Sequence, residues 1–230
     1  MNKRLKVSLT LNILIVAFVG VAFLMGLNKW QFVEDDMSIE GWELLKYFTV
    51  QSNILAGVAA AVFAVYEIML FEDKVLKIPD WVYIFKYAAN VGVTVTFLTV
   101  AVYLAPVYGE GNYFKFFYNS NLFFHFLVPV LSFVSFSFFE LTDAITFKKA
   151  FWGMAHFTVY GAIYMAVAYT HVSTWESRAL EDLRAYNWYG FADVNVFLTV
   201  ILVLIMCLMT YLICVATWFI NKKMYTKVGR

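Results

Sequence analysis

Thr49 and Asn53 stand four residues apart, as do Asn121 and His125, and each pair lies near the start of a long apolar run. Residues at this spacing share one helix face. The first pair belongs to the string Thr49-Val50-Gln51-Ser52-Asn53, the second to Asn119-Ser120-Asn121 with His125 one turn further on. A threonine hydroxyl becomes a nucleophile when a base within about 3 Å takes its proton, and imidazole is the side chain most often used for that purpose. Thr49 is therefore the candidate nucleophile and His125 the candidate base. Asn53, Asn121 and Ser52 are candidate donors to a developing oxyanion. Asp193, at the head of the last apolar run, is a candidate to orient the imidazole. Each residue also has a plainer reading. Threonine bonds back to its own helix, histidine bonds between helices, and a carboxylate suits a helix N-terminus.

The elements that must position these groups follow from composition. The chain has 230 residues, of which 63% are hydrophobic, 20% aromatic and 14% charged. Soluble domains carry about 25% charged residues, so the composition predicts an all-α polytopic integral membrane protein. A net charge of +1 gives no footprint for nucleic acid. Neither linkers nor repeats divide the chain, which reads as one transmembrane domain over residues 1–230. Apolar runs at about 7–27, 43–70, 81–106, 119–139, 149–170 and 191–221 predict six spans, each long enough for about 30 Å of hydrocarbon. The first run, behind the basic Met1–Lys6 segment, is longer than a signal-peptide core and reads as a retained span. Tryptophans lie near run ends, as an interfacial belt requires.

Basic residues set the expected orientation. With the N-terminus cytoplasmic, that side holds Lys3, Arg4, Lys6, Lys74, Lys77, Lys86, Lys148, Lys149, Lys222, Lys223, Lys227 and Arg230. The other side holds Lys29, Lys46, Lys115, Arg178 and Arg184 of the 17 basic residues. Both termini are thus expected in the cytoplasm. Thr49 and His125 each fall six residues into a span that starts outside, about 9 Å below its outer end. Asp193 and Asn195 enter from the same side. His156 counts inward from the opposite side, which predicts a structural role at another depth. Asn90 reads as an interhelical hydrogen-bonding residue. Pro129 removes the backbone donor to the His125 carbonyl and predicts a kink there. His125, His156 and His171 are too scattered for a metal motif, and Cys207 and Cys214 read as packing residues.

Three segments carry a family resemblance: Tyr47-Phe48-Thr49-Val50-Gln51-Ser52-Asn53, Asn121-Leu122-Phe123-Phe124-His125-Phe126-Leu127-Val128-Pro129 and Tyr189-Gly190-Phe191-Ala192-Asp193-Val194-Asn195. Together they resemble the androgen-induced-protein family of six-span membrane proteins, in a bacterial form. Characterised animal members are threonine hydrolases that cleave fatty acid esters of hydroxy fatty acids. The resemblance implies that Thr49 matches their nucleophile and His125 their catalytic histidine. The chain departs from the family at Tyr186-Asn187-Trp188-Tyr189-Gly190-Phe191, where a Tyr-Pro-Tyr-Pro-Phe stretch has lost both prolines, and neither cysteine matches the nucleophile of a related acyltransferase branch.

The expectation is a membrane-embedded lipid esterase of the bacterial plasma membrane, its site toward the outer leaflet. Its partners are membrane lipids and a lipid ester substrate, and it needs no metal or organic cofactor. Two rivals use the same residues. One is a transporter or channel that binds a small solute in the polar cluster. The other is an acyltransferase with an alcohol in place of water.

Overall fold

The computed structural model describes residues 3–34, 41–108, 111–172, 185–191 and 195–228. Asp193 lies outside them, as do Arg178, Arg184 and Arg230. Among the described residues six helices carry the fold: α1 Lys3–Asn28, α2 Phe48–Phe71, α3 Asp80–Tyr108, α4 Asn119–Phe139, α5 Ala155–Val172 and α6 Val196–Val228. Short 3-10 turns, Gly41–Lys46, Tyr113–Phe117 and Lys149–Met154, lead into α2, α4 and α5. No strand occurs among the described residues. The all-helical expectation holds.

Five of the helices, all but α5, are long and apolar enough to cross a membrane. Their outward faces suit hydrocarbon. On α6, Phe197, Leu204, Ile205, Leu208 and Leu212 all point away from the bundle, a row that would be unfavourable in water. The sixth expected span corresponds to α5, which is shorter and carries His156, Tyr160, Tyr164, Tyr169 and His171. Those polar groups lower its hydropathy and, as described below, several of them build the site.

The core forms around α3, which packs on α2, α4, α5 and α6, while α1 closes over α2 and α4. Val82, Tyr87, Ala89, Val91, Val93 and Val95 of α3 are fully buried. Small residues let neighbours approach, since association in lipid relies on close backbone contact. Ala56, Gly57, Ala59 and Ala60 form such a stripe on α2. At Gly57 an added Cβ would lie 3.1 Å from Val19 of α1.

Two expectations about single residues change. Lys86, counted with the cytoplasmic surface, is 1% exposed and sits inside the bundle, so it says nothing about orientation. Asn90 is fully buried but makes no interhelical hydrogen bond: neither its amide oxygen nor its nitrogen has a partner. Cys207 and Cys214 are free thiols, Cys214 buried in the core.

The turn before α5 packs closely on its neighbours at Gly153. A Cβ there would meet Cys214 Sγ at 2.6 Å, Val91 Cγ2 at 2.9 Å and Tyr87 Cε1 at 3.0 Å. Nothing lies within 4 Å of a Cβ added at Gly161. Gly153→Ala is expected to lower stability by about 1–3 kcal/mol through overpacking, while Gly161→Ala is neutral or slightly stabilising. Thermal unfolding of both variants in one detergent checks the contrast.

Candidate functional site

The site begins with a proline. Pro129 has no N–H, and two residues before it the α4 ladder widens into a π turn, Phe123–Leu127, that contains His125. The Val128 N–H bonds to the Phe123 carbonyl. That leaves the Phe124 carbonyl without either usual donor, because its i+4 N–H is taken and its i+5 residue is Pro129. Asn53 of α2 supplies the missing donor. Its Nδ2 donates to Phe124 O at 3.0 Å and to Thr49 O at 2.7 Å. The sequence expectation is a kink at His125; the structure has a π turn there, and the stranded carbonyl is that of Phe124 rather than His125.

This amide bridge sets the helix turn of Thr49 against the helix turn of His125. Thr49 is half-buried and His125 is 8% exposed. No hydrogen bond joins the Thr49 hydroxyl to the His125 ring. His125 Nδ1 lies 2.6 Å from the Phe116 carbonyl. A carbonyl only accepts, so Nδ1 carries the hydrogen, and in the neutral ring Nε2 keeps its lone pair. The Phe117 ring meets the imidazole edge-on at 6.4 Å. An orienting carboxylate would act at the Nδ1 position, which the Phe116 carbonyl fills; Asp193 lies outside the described residues. Asn195, close behind it, caps α6 by accepting the Leu198 N–H at 2.8 Å.

The other candidates divide. Both amide hydrogens of Asn53 are engaged on carbonyls, so in this arrangement it has none for an oxyanion, and its buried Oδ1 has no partner. Ser52 is fully buried, 2.9 Å from Thr49 O and 3.1 Å from Thr96 Oγ1 of α3. Asn121 is buried in the first turn of α4. Asn119 has a structural part. It takes a left-handed φ of 51°, its Oδ1 accepts the N–H groups of Phe32 and Val33, and its Nδ2 donates to Val33 O.

Donors unseen in the side chains lie on the backbone of α2. The first intrahelical-type bond runs from Gln51 N–H to Tyr47 O at 3.1 Å, and the Phe48 N–H is capped by Tyr189 Oη at 2.9 Å. The N–H groups of Thr49 and Val50, between them, have no intrahelical acceptor. They point along the positive end of the helix dipole.

His156 is nearer than its depth count implied. It stacks on Phe48, ring centroids 4.8 Å apart and 20° from parallel. A Cβ at Gly92 would lie 3.3 Å from its Nδ1 and 3.4 Å from Ser52 Cβ. The count failed because it ran both helices from the ends of their apolar runs. The 3-10 turn Gly41–Lys46 delays α2 to Phe48, and the turn Lys149–Met154 carries α5 inward before it starts. His156 Nδ1 is buried without a partner. The ring borders a cavity of about 150 Å³ lined by Lys46, Gln51, Tyr160, Tyr164 and Trp188 among others. A tyrosine network roofs it: Tyr160 Oη donates to Lys46 O at 2.6 Å and accepts from Trp188 Nε1 at 3.0 Å, and Tyr164 Oη donates to Asn187 Oδ1 at 2.6 Å. Gly190, at φ 70°, turns this segment back on itself, a geometry that proline cannot adopt and most side chains resist. Burial pushes the Tyr189 hydroxyl well above the ordinary tyrosine range, so it stays protonated. The abundance of tyrosine and tryptophan after residue 185 was the sequence signal for this roof.

Among the described residues no group of three His, Cys, Asp or Glu is placed to hold a metal ion. No family model matches the chain, and no curated protein or solved structure is significantly similar to it.

Solid-state NMR of the ¹⁵N-histidine-labelled protein in lipid at neutral pH is expected to show His125 as the Nδ1–H tautomer. An Nε2–H signal assigned through His125→Gln would contradict the geometry.

Proposed function

We propose that the chain is a membrane-embedded lipid esterase that uses Thr49 as nucleophile and His125 as base. The observation that carries this reading is the His125 ring: its Nδ1 is held by the Phe116 carbonyl, leaving Nε2 as the proton acceptor, on the helix turn that Asn53 ties to the turn of Thr49. A base that serves a nucleophile needs one ring nitrogen left free in this way.

In the proposed reaction Thr49 Oγ attacks the acyl carbon of a fatty acid ester while its proton passes to His125 Nε2. The N–H groups of Thr49 and Val50 stabilise the oxyanion. His125 returns the proton to the leaving alkoxide, and the acyl group stays on Thr49 as an ester. Water then attacks that ester, His125 takes its proton and gives it to Thr49 as the fatty acid leaves. The cavity beside Gln51 and His156 is too small for an acyl chain, and its lining includes neither Thr49 nor His125. The chain would then lie along the lipid-facing side of α2 and α4. Fatty acid esters of hydroxy fatty acids are the substrate class that the motif resemblance implies. In this reading α5 completes a six-span bundle, both termini are cytoplasmic, and the site opens toward the outer leaflet of a bacterial plasma membrane.

The test is release of free fatty acid from such an ester by purified protein in lipid nanodiscs. Thr49→Ala and His125→Ala are each expected to lower kcat/KM by about 10²-fold or more, and the double variant by little beyond either. Full activity in both single variants would remove the dyad. A new ester formed when a simple alcohol is added would identify acyl transfer as the reaction.

A further inference from the structure

The end of the bundle opposite Thr49 buries a second polar cluster. Glu67 of α2 and Glu140 at the end of α4 are 0% and 2% exposed, Lys86 of α3 is 1%, and Asn12 of α1 is 0%. Asn12 is the hub. Its Nδ2 donates to Glu67 Oε2 at 3.2 Å and to Glu140 Oε1 at 3.0 Å, and its Oδ1 accepts from Lys86 Nζ at 2.5 Å. Lys86 Nζ also lies 3.7 Å from Glu140 Oε1, and Ser135 Oγ donates to that oxygen at 2.6 Å.

The charges do not balance. Two carboxyl groups share one ammonium, and a net negative charge sealed among helices has no water to stabilise it. Neighbouring groups do not supply the difference. Ser8 of α1 lies beside Glu67, though its Oγ makes no hydrogen bond. Tyr83 of α3, Arg4 of α1 and Asp143 of the α4–α5 connection lie around the rim, and neither glutamate forms an ion pair with Arg4. Asn221 of α6 donates to the Glu140 backbone carbonyl, not to its carboxyl group.

The two carboxyls are unequal. Glu140 Oε1 collects Asn12, Ser135 and Lys86, the surroundings of an anion. Glu67 receives a single donor on Oε2, has no cation within ion-pair distance among the described residues, and its buried Oε1 has no partner. We propose that this cluster is a proton-binding site and that Glu67 holds the proton, on Oε1, as a neutral acid. The proton brings the cluster to zero charge and turns the bare oxygen into a donor, with Ser8 beside Glu67. Glu67 is four residues from the end of α2, about 6 Å along the axis, so exchange with the adjacent aqueous side needs a small opening. Releasing the proton leaves one uncompensated charge between α1, α2, α3 and α4, and binding or loss of the proton is thereby coupled to how those four helices pack. Ionisable groups within membrane bundles serve proton binding and transfer in many proteins.

Infrared spectroscopy of the full-length protein in nanodiscs at neutral pH tests this directly. The wild type should show a protonated-carboxyl C=O band that shifts in D₂O and disappears in Glu67→Gln. Glu67→Gln, a neutral mimic of the acid, should melt close to the wild type. Glu140→Gln, which strips Lys86 of its anion, should lower the melting temperature by roughly 10 °C. If that variant does not fold, Glu140→Gln combined with Lys86→Met restores neutrality and should fold. Absence of the band, its survival in Glu67→Gln, or a Glu67→Gln protein as unstable as Glu140→Gln would overturn the proposal. So would a melting temperature raised by sodium over choline in the wild type and not in Glu67→Gln, which would make a metal cation the ligand.

Discussion

The Asn53 amide is the contact on which the arrangement of the site rests. A backbone carbonyl without a donor is costly in hydrocarbon, by several kcal/mol. Pro129 and the π turn create such a carbonyl at Phe124, and Asn53 satisfies it with one hydrogen while holding Thr49 O with the other. A break in one helix is thus repaired by a side chain from the next. The repair fixes the relative position of the two turns that carry Thr49 and His125. The Phe116 carbonyl then does for the imidazole ring what Asn53 does for the backbone: a fixed acceptor selects one tautomer of His125.

The same constraint orders the rest of the bundle. Its buried charged and amide side chains, Asn90 apart, are gathered at two ends. One end holds Thr49 and His125 and also the His156 cavity, which is roofed by Tyr160, Tyr164, Trp188 and Tyr189. The other holds Asn12, Glu67, Lys86 and Glu140. Between them the packing is apolar and close, with Ile15, Val19, Ala56, Ala59, Ala60, Ala89, Val93 and Val128 in one buried group. Asn90 and Ser132 are exceptions in this middle layer, buried with unpartnered side-chain atoms. α3 passes through both ends, presenting Lys86 near its start and Thr96 at the upper cluster. A change in charge at the lower cluster therefore acts on the helix that also lines the upper one.

Much of the fold was legible because hydrophobic run length reports directly on a helix in a bilayer. The run at 119–139 coincides with α4, and the run at 81–106 lies within α3. Helix starts were less legible. Leu44 and Leu45 extend the second apolar run backward, yet Gly41–Lys46 winds as a 3-10 turn, and hydropathy does not distinguish the two. The same error at the Lys149–Met154 turn carried into the depth assigned to His156. The i,i+4 pairing of Thr49 with Asn53 was visible in the sequence, but not that Asn53 reaches across to Phe124. Lys86, Glu67 and Glu140 lie near run ends, where single charges ordinarily reach the interface. Their convergence depends on which helices are neighbours, and one sequence does not give that.

The central claim is that Thr49 carries an activated hydroxyl. Its most direct test is to react the folded protein in nanodiscs with a fluorophosphonate and locate the adduct by peptide mass spectrometry. The account predicts one adduct, on the peptide holding Thr49, that is lost when His125 is replaced by alanine. An adduct on Ser52 or elsewhere, or an unreactive protein that is demonstrably folded, would contradict it and shift the reading toward a polar cluster that binds a solute without bond cleavage.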